Sequence, residues 1–314
     1  MAVAAELFAL LVFPGLLFLG ALSLAGEWVD RKLHARLQNR LGPPWFQPAA
    51  DLIKLFAKES VIPRAADRPL FVLAPLVALA SVATAYLPIP LLSIRGACSF
   101  SGDLIVVLYL LMMPTLTLFL GGWYSRSLFS TMGAMRAITQ LFAYEIPLFA
   151  SLLAPALLAG SWTLSEIASF FAGHGWWWAV NLPALFVSLI ALLGKLERVP
   201  FDIPEAETEV VAGSLTEYGG RHLGFFRLAF DAELVVGASL LAAVFLPFGL
   251  TLPPVATIPL YAAKLVLLVA VLTLLRTLFA RLRIDQMVSF CYRVLAPVAF
   301  AQVVLDAVLT RVAR

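Results

Sequence analysis

Charge is scarce in this sequence. Only 13% of its 314 residues are Asp, Glu, Lys or Arg, while 62% are hydrophobic; soluble domains run to roughly 25% charged and 45–50% apolar. So few charges cannot coat a soluble body of this size. That excludes a soluble enzyme, a disordered chain and a nucleic-acid binder of the ordinary kind. Cysteine is nearly absent. Cys98 and Cys291 lie far apart and in no C-x-x-C spacing, so this chain alone holds neither an Fe–S cluster nor a four-ligand zinc site. The histidines, His34, His174 and His222, fall in separate segments and read as loop or interface residues. The residues from Met1 to Glu6 lack the basic n-region of a cleavable signal peptide, so the first apolar run reads as a retained helix. No low-complexity tract or internal repeat is visible.

What the sequence has in abundance is long apolar runs. Eight are long enough, or nearly so, to cross a hydrocarbon core of about 30 Å: residues 4–25, 71–92, 104–121, 138–160, 180–196, 228–250, 258–279 and 294–309. The expected fold is an all-α integral membrane protein of eight transmembrane helices, a single polytopic domain over 1–314. Pro14, Pro114, Pro147 and Pro155 lie inside these runs, where packed neighbours tolerate a kink. Basic residues set the orientation, because Lys and Arg are retained on the cytoplasmic side. Of the 22, 18 fall in alternate connections, so segments of about 27–69, 122–137, 197–227 and 280–293 are expected in the cytoplasm. Both termini are then expected on the outer face of the cell membrane. All seven tryptophans sit at or beyond span ends, as an interfacial belt requires.

Two cytoplasmic features stand out. Residues 46–59 place Ala49, Leu52, Ile53 and Phe56 at helical spacing, with Asp51, Lys54 and Lys58 on other faces. This predicts a short amphipathic helix suited to the membrane surface, either a plain clip or one wall of a cavity. The second feature is an acidic loop. Between Glu197 and Glu233 lie eight of the 19 acids: Glu197, Asp202, Glu205, Glu207, Glu209, Glu217, Asp231 and Glu233. Asp202-Ile-Pro-Glu205 reads as a capping box opening a short helix that Gly213 ends, with Glu205 and Glu209 on one face. The acids are interleaved with Phe201, Ile203, Val210 and Val211, so part of this segment is built for burial rather than solvation. Clustered carboxylates in a low dielectric cannot all ionise, and such a cluster can pass protons. Glu145, in Phe142-Ala-Tyr-Glu-Ile-Pro-Leu148, lies inside a span near its expected cytoplasmic end. An ionisable group there is a functional candidate by default. Asp103, Asp231, Glu233, Lys264 and Asp306 lie nearer span ends, where snorkelling or solvation accounts for them.

Three motifs then occur in order. Arg198-Val-Pro-Phe-Asp-Ile-Pro-Glu-Ala-Glu-Thr-Glu-Val-Val-Ala-Gly213 with Thr216-Glu-Tyr-Gly-Gly220 resembles the signature loop of the complex I subunit 1 (H-subunit) family. Ala143-Tyr-Glu-Ile-Pro-Leu148 and Gly121-Gly-Trp-Tyr-Ser125 resemble its second signature. Asp30-Arg-Lys32 through Gly42-Pro43, then Gln47-Pro48 and Asp51-Leu-Ile-Lys-Leu55, resemble its first cytoplasmic segment. The resemblance covers nearly the whole chain. One departure concerns the branch: Gly42-Pro-Pro-Trp-Phe-Gln47 is contracted, a form similar to the membrane-anchor subunit of membrane-bound [NiFe] hydrogenases and related energy-converting complexes.

The resemblance implies a membrane-arm subunit that anchors a soluble redox arm and couples electron transfer to proton or sodium translocation, in a complex of the NiFe hydrogenase type. It implies no catalytic or metal residues and no cofactor in this chain, with Fe–S clusters and a NiFe centre in hydrophilic partners, and antiporter-like membrane partners beside it. By position it places Glu145, Glu205, Glu207, Glu209, Glu217 and Asp202 in the coupling path. Asp30, Arg31, Arg36, Arg40 and Arg198 fall at the junction with the redox arm. The alternative reading is the H-subunit of an NADH- or ferredoxin-linked quinone oxidoreductase, and a third is a stand-alone secondary transporter.

Overall fold

A computed structural model of the chain describes residues 8–205, 211–250 and 252–313, and every regular element among them is helical. The first long helix, α1, is Leu16–Leu37, after a break at Pro14 and Gly15. Then come α2 (Gln47–Ala57), α3 (Arg68–Tyr86), α4 (Asp103–Tyr124), α5 (Leu128–Ala159), α6 (Leu164–Gly173), α7 (Gly175–Val180) and α8 (Leu182–Lys195). A 3₁₀ turn, Gly213–Leu215, precedes α9 (Gly220–Phe245), α10 (Pro254–Leu278), α11 (Ile284–Phe290) and α12 (Ala296–Ala313), the last two joined by a π turn. Local chemistry sets several ends. The Asp67 side chain accepts the Leu70 N–H with Pro69 in the first turn of α3, and Gly160 closes α5 in the left-handed region at φ 70°.

Among the described residues, seven helices are long and apolar enough to cross a membrane: Phe8–Leu37, Arg68–Tyr86, Asp103–Tyr124, Leu128–Ala159, Gly220–Phe245, Val255–Leu278 and Ile284–Thr310. The outward faces of the bundle carry Leu17, Tyr109, Phe186, Val255, Leu267 and Val304, all exposed, the surface expected of helices in hydrocarbon rather than water. The centre of the bundle is α9, whose spanning window is 83% buried, packed by α1, α3 and α10. The expected helix α2 is present. Ile53 and Phe56 are exposed while Pro48 is buried, and Phe56 stacks edge-on against Phe225 at 5.0 Å, docking α2 on α9.

The expected fifth span behaves differently. It is α8, with 14 residues, about 21 Å at 1.5 Å per residue, too short to cross alone. Its last residue, Lys195, lies beside Glu145 and Glu233, each near the middle of a long spanning helix. The helix therefore ends beside the middle of two spanning helices and continues as irregular chain. Such backbone is tolerated at membrane depth only where it is enclosed by protein or lines a polar cavity, and here it does both. If α8 and the segment after it make one crossing, tags on the two termini face the same side, outward. Protease treatment of sealed right-side-out vesicles reads this directly; termini on opposite sides would mean that the chain after α8 returns to the face it left.

The long helices also extend beyond the apolar runs. Helix α5 begins at Leu128 and α9 at Gly220, eight to ten residues before the runs starting at 138 and 228. Glu145 is accordingly near the middle of its helix, not near its end. Glu233, expected at a span end, is likewise central in α9 and only 2% exposed.

Candidate functional site

The site is built from α8 outward. Gly194 lets α8 approach α5: a Cβ there would meet the Tyr144 Cβ at 3.2 Å. Gln140 fixes the contact by donating to the Gly194 carbonyl at 2.6 Å. That delivers Lys195 into the bundle with its side chain 1% exposed, 3.8 Å from Glu145 Oε2 and 3.6 Å from Glu233 Oε1. Its ammonium also lies 5.4 Å from the centre of the Tyr144 ring, and Tyr144 itself shares a hydrogen bond with Thr115 on α4. Neither oxygen of Glu145 makes a hydrogen bond, and neither does Lys195 Nζ. One cation thus stands between two carboxylates on separate helices at distances that leave it hydrogen-bonded to neither. At these separations inside a protein the three charges interact strongly.

A polar cavity of about 160 Å³ opens beside this triad, room for several waters. Six carboxylates line it (Glu27, Glu197, Asp202, Glu205, Asp231 and Glu233), facing five bases (Arg31, Lys195, Arg198, Arg227 and Arg276). Glu197, in the segment after α8, shares this space with Glu205, Glu233 and Asp202, and acids gathered in one enclosed cavity resist ionising together. Glu205 pairs with Arg227 at 3.6 Å and Asp202 with Arg281 at 2.7 Å.

At the far side of the cavity is a second charged network. Arg198 donates to Asp30 and, at 2.8 Å, to Glu27. Asp30, 2% exposed, also accepts from Arg276 at 2.9 Å and Thr273 at 2.6 Å. Each guanidinium drawn out of water here thus meets a carboxylate through a charge-assisted hydrogen bond, the condition under which a buried charge is tolerated. Arg31 bonds Glu27 at 2.6 Å and Asp51 at 3.1 Å, tying α2 to α1. The contracted segment folds back on the same helix: Trp28 donates to the Pro43 carbonyl at 3.3 Å. Gly42 lies so close that a Cβ would stand 2.9 Å from Lys32 Cα.

The residues singled out in the sequence therefore divide. Glu145, Asp202 and Glu205 belong to the triad or the cavity, and Asp30, Arg31 and Arg198 to the network. Arg36 and Arg40 lie at and beyond the end of α1, both exposed. Glu217 sits at the turn before α9 and is not among the residues lining the cavity. Glu207 and Glu209 lie outside the described residues, as do residues 206–210 of the helix expected between Asp202 and Gly213; its described ends, 202–205 and 211–212, are turn or irregular chain rather than helix. Sequence reasoning leaves Lys195, Glu233, Glu27, Arg276 and Thr273 out of the site. The one signal for Glu233 and Lys195 is that both are ionisable groups at the edge of an apolar run.

Comparison with known proteins agrees with this architecture. Residues 8–307 match a family described as NADH dehydrogenase. The chain is 37% identical over 312 residues to the H-subunit of NADH-quinone oxidoreductase from Geobacillus kaustophilus, covering 92% of each. It is also 37% identical over 294 residues to the corresponding protein of Geobacillus thermodenitrificans, covering 89% of this chain and 87% of the relative. A solved structure of the membrane-bound sulfane sulfur reductase, an archaeal respiratory membrane complex, superposes with a TM-score of 0.85. The match covers 96% of this chain and 99% of the other at 24% identity, a likeness of fold.

Proposed function

This chain belongs to the NADH dehydrogenase family, and from that premise we propose that it is the H-type membrane subunit of a quinone oxidoreductase. As a membrane-arm subunit of the complex I superfamily it is part of a redox, energy-coupling complex. The relatives favour the quinone branch over the hydrogenase branch that the contracted segment 42–47 pointed to. That contraction has a local reason, since the segment packs flat on α1 through Trp28, Lys32 and Gly42, and such a fit needs no particular electron acceptor.

The chain's own work in this reading is electrostatic. The observation that carries it is Lys195, buried between Glu145 and Glu233 and joined by a charged cavity to the network of Arg198, Asp30 and Glu27. A charge change at the junction with the redox arm alters the field at the cavity. The triad answers by taking up or releasing a proton, which passes to the neighbouring antiporter-like subunits. Electrons travel through Fe–S clusters in hydrophilic partners. Arg36 and Arg40, beside the network at the end of α1, contact those partners.

The branch is tested on the intact complex purified from membranes. Quinone reduction without nickel in the preparation is expected. A nickel-containing assembly that evolves hydrogen and leaves quinone oxidised would overturn the quinone reading and restore the hydrogenase one.

A further inference from the structure

Behind the acidic segment lies a second cavity of opposite character. It measures about 260 Å³ and is lined by apolar residues alone, among them Leu193 of α8, Leu275 of α10, Phe201, Ala280, Leu282 and Phe290 of α11. We propose that it holds one acyl chain of an anionic membrane phospholipid, with the phosphate at Arg283 on the connection between α10 and α11.

Three observations support this occupant. The first is size and polarity: an apolar cavity of about 150 Å³ stays dry and admits a benzene ring, so this one takes several carbons of a hydrocarbon chain. The second is place. The cavity lies at the C-terminal end of the spanning helix α10, where Leu278 and Phe279 are 68% and 58% exposed. Apolar side chains so exposed at a span end face the lipid. The third is charge. Arg281 and Arg283 flank the lining residue Leu282 and both are exposed; guanidinium groups bind phosphate through paired hydrogen bonds. Arg281 is held by Asp202 at 2.7 Å, so the headgroup contact falls to Arg283, and an uncharged isoprenoid lipid would offer it no phosphate.

The two cavities share a wall. Phe201 faces the apolar one and its neighbour Asp202 the charged one. The Leu282 N–H bonds the Pro200 carbonyl at 3.0 Å, and Arg281 bonds Asp202. An acyl chain seated here braces the irregular segment from behind and fixes where Asp202 stands.

The test uses the complex in native membranes and a phosphatidylglycerol carrying a photoreactive group near the end of one acyl chain. Label is expected on the peptide spanning Phe279 and Phe290. Ala280→Phe fills the cavity and should cut labelling about tenfold, the loss of roughly two buried methylene groups. Arg283→Glu leaves the cavity intact and should cut it about fivefold or more through the headgroup. Excess unlabelled phosphatidylglycerol should compete, and an uncharged isoprenoid quinone should not. Labelling unchanged in Ala280→Phe would overturn the proposal, and so would competition by the quinone as effective as by the phospholipid. Melting of each variant complex is followed in parallel, and unchanged labelling in Arg283→Glu with a wild-type melt would remove the phosphate contact and with it the anionic lipid.

Discussion

Replacing Lys195 with Met should abolish ion pumping while leaving the complex assembled. The substitution nearly keeps the length of the side chain and removes its charge. Glu145 and Glu233 are then left buried with no cation between them. Two carboxylates that lose the cation between them resist ionising together, so the triad can no longer exchange a proton as the wild type does, and ions moved per turnover should fall by about an order of magnitude or more. Removing one partner of a buried pair also costs about 3–5 kcal/mol, so a lower melting temperature is expected alongside. The double variant Lys195→Met with Glu233→Gln separates the two effects. It restores the wild-type net charge of the triad and should recover part of the melting temperature, with pumping still lost. Quinone reduction and the ion gradient are measured in the same reconstituted vesicles. Wild-type pumping in Lys195→Met would sink the coupling role of the triad. Recovery of pumping together with stability in the double variant would make Lys195 merely a structural counter-ion.

That prediction rests on two residues the sequence does not single out, for a physical reason. Hydropathy locates helices by the absence of charge, so an apolar run ends wherever a charge begins. Helix α9 starts at Gly220, but the apolar run starts at 228, because Arg221 and Arg227 interrupt it. Hydropathy thereby sets Glu233 at an edge when it is in fact central. The charges that blur the boundary are the partners that make the buried acids tolerable: Arg227 holds Glu205, and Lys195 stands beside Glu233. Pairing between distant segments leaves no periodic trace in a sequence. The helix Gln47–Ala57 is legible because its pattern is local, with residues three and four apart. Glu145 is legible because it lies between apolar residues on both sides. Lys195 looks like an ordinary positive charge at the end of a span, and only the halt of α8 beside Glu145 and Glu233 turns it into the centre of the site. The acidic loop is legible as chemistry but not as geometry, since which acids meet depends on how Pro200 and Pro204 bend the chain.

The second large effect is expected at Asp30. Its carboxylate accepts from Arg198 and Arg276 through one oxygen and from Thr273 through the other, so it joins α1, the acidic segment and α10 at one buried point. Asp30→Asn preserves the shape but turns an oxygen into an N–H₂ donor. Whichever way the amide is oriented, it cannot satisfy two guanidinium donors and the Thr273 hydroxyl as the carboxylate does. Two cations are then left 15% and 27% exposed with less compensation, at a cost of about 3–5 kcal/mol. Arg198 retains Glu27, so the segment should loosen rather than unfold. The expected outcome is a complex that melts earlier and reduces quinone slowly, because Arg198 no longer holds the wall between the junction and the cavity. Neutralising one cation as well, in Asp30→Asn with Arg276→Gln, restores the local charge balance and should recover at least half of the lost melting temperature. Arg36→Glu with Arg40→Glu is the contrasting variant. Those residues stand clear of the bundle interior, so the membrane chain should melt as wild type while the soluble arm dissociates on mild detergent extraction. A wild-type melt and turnover in Asp30→Asn would show that the network is not what fixes the acidic segment, and the electrostatic route from junction to triad would lose its first link.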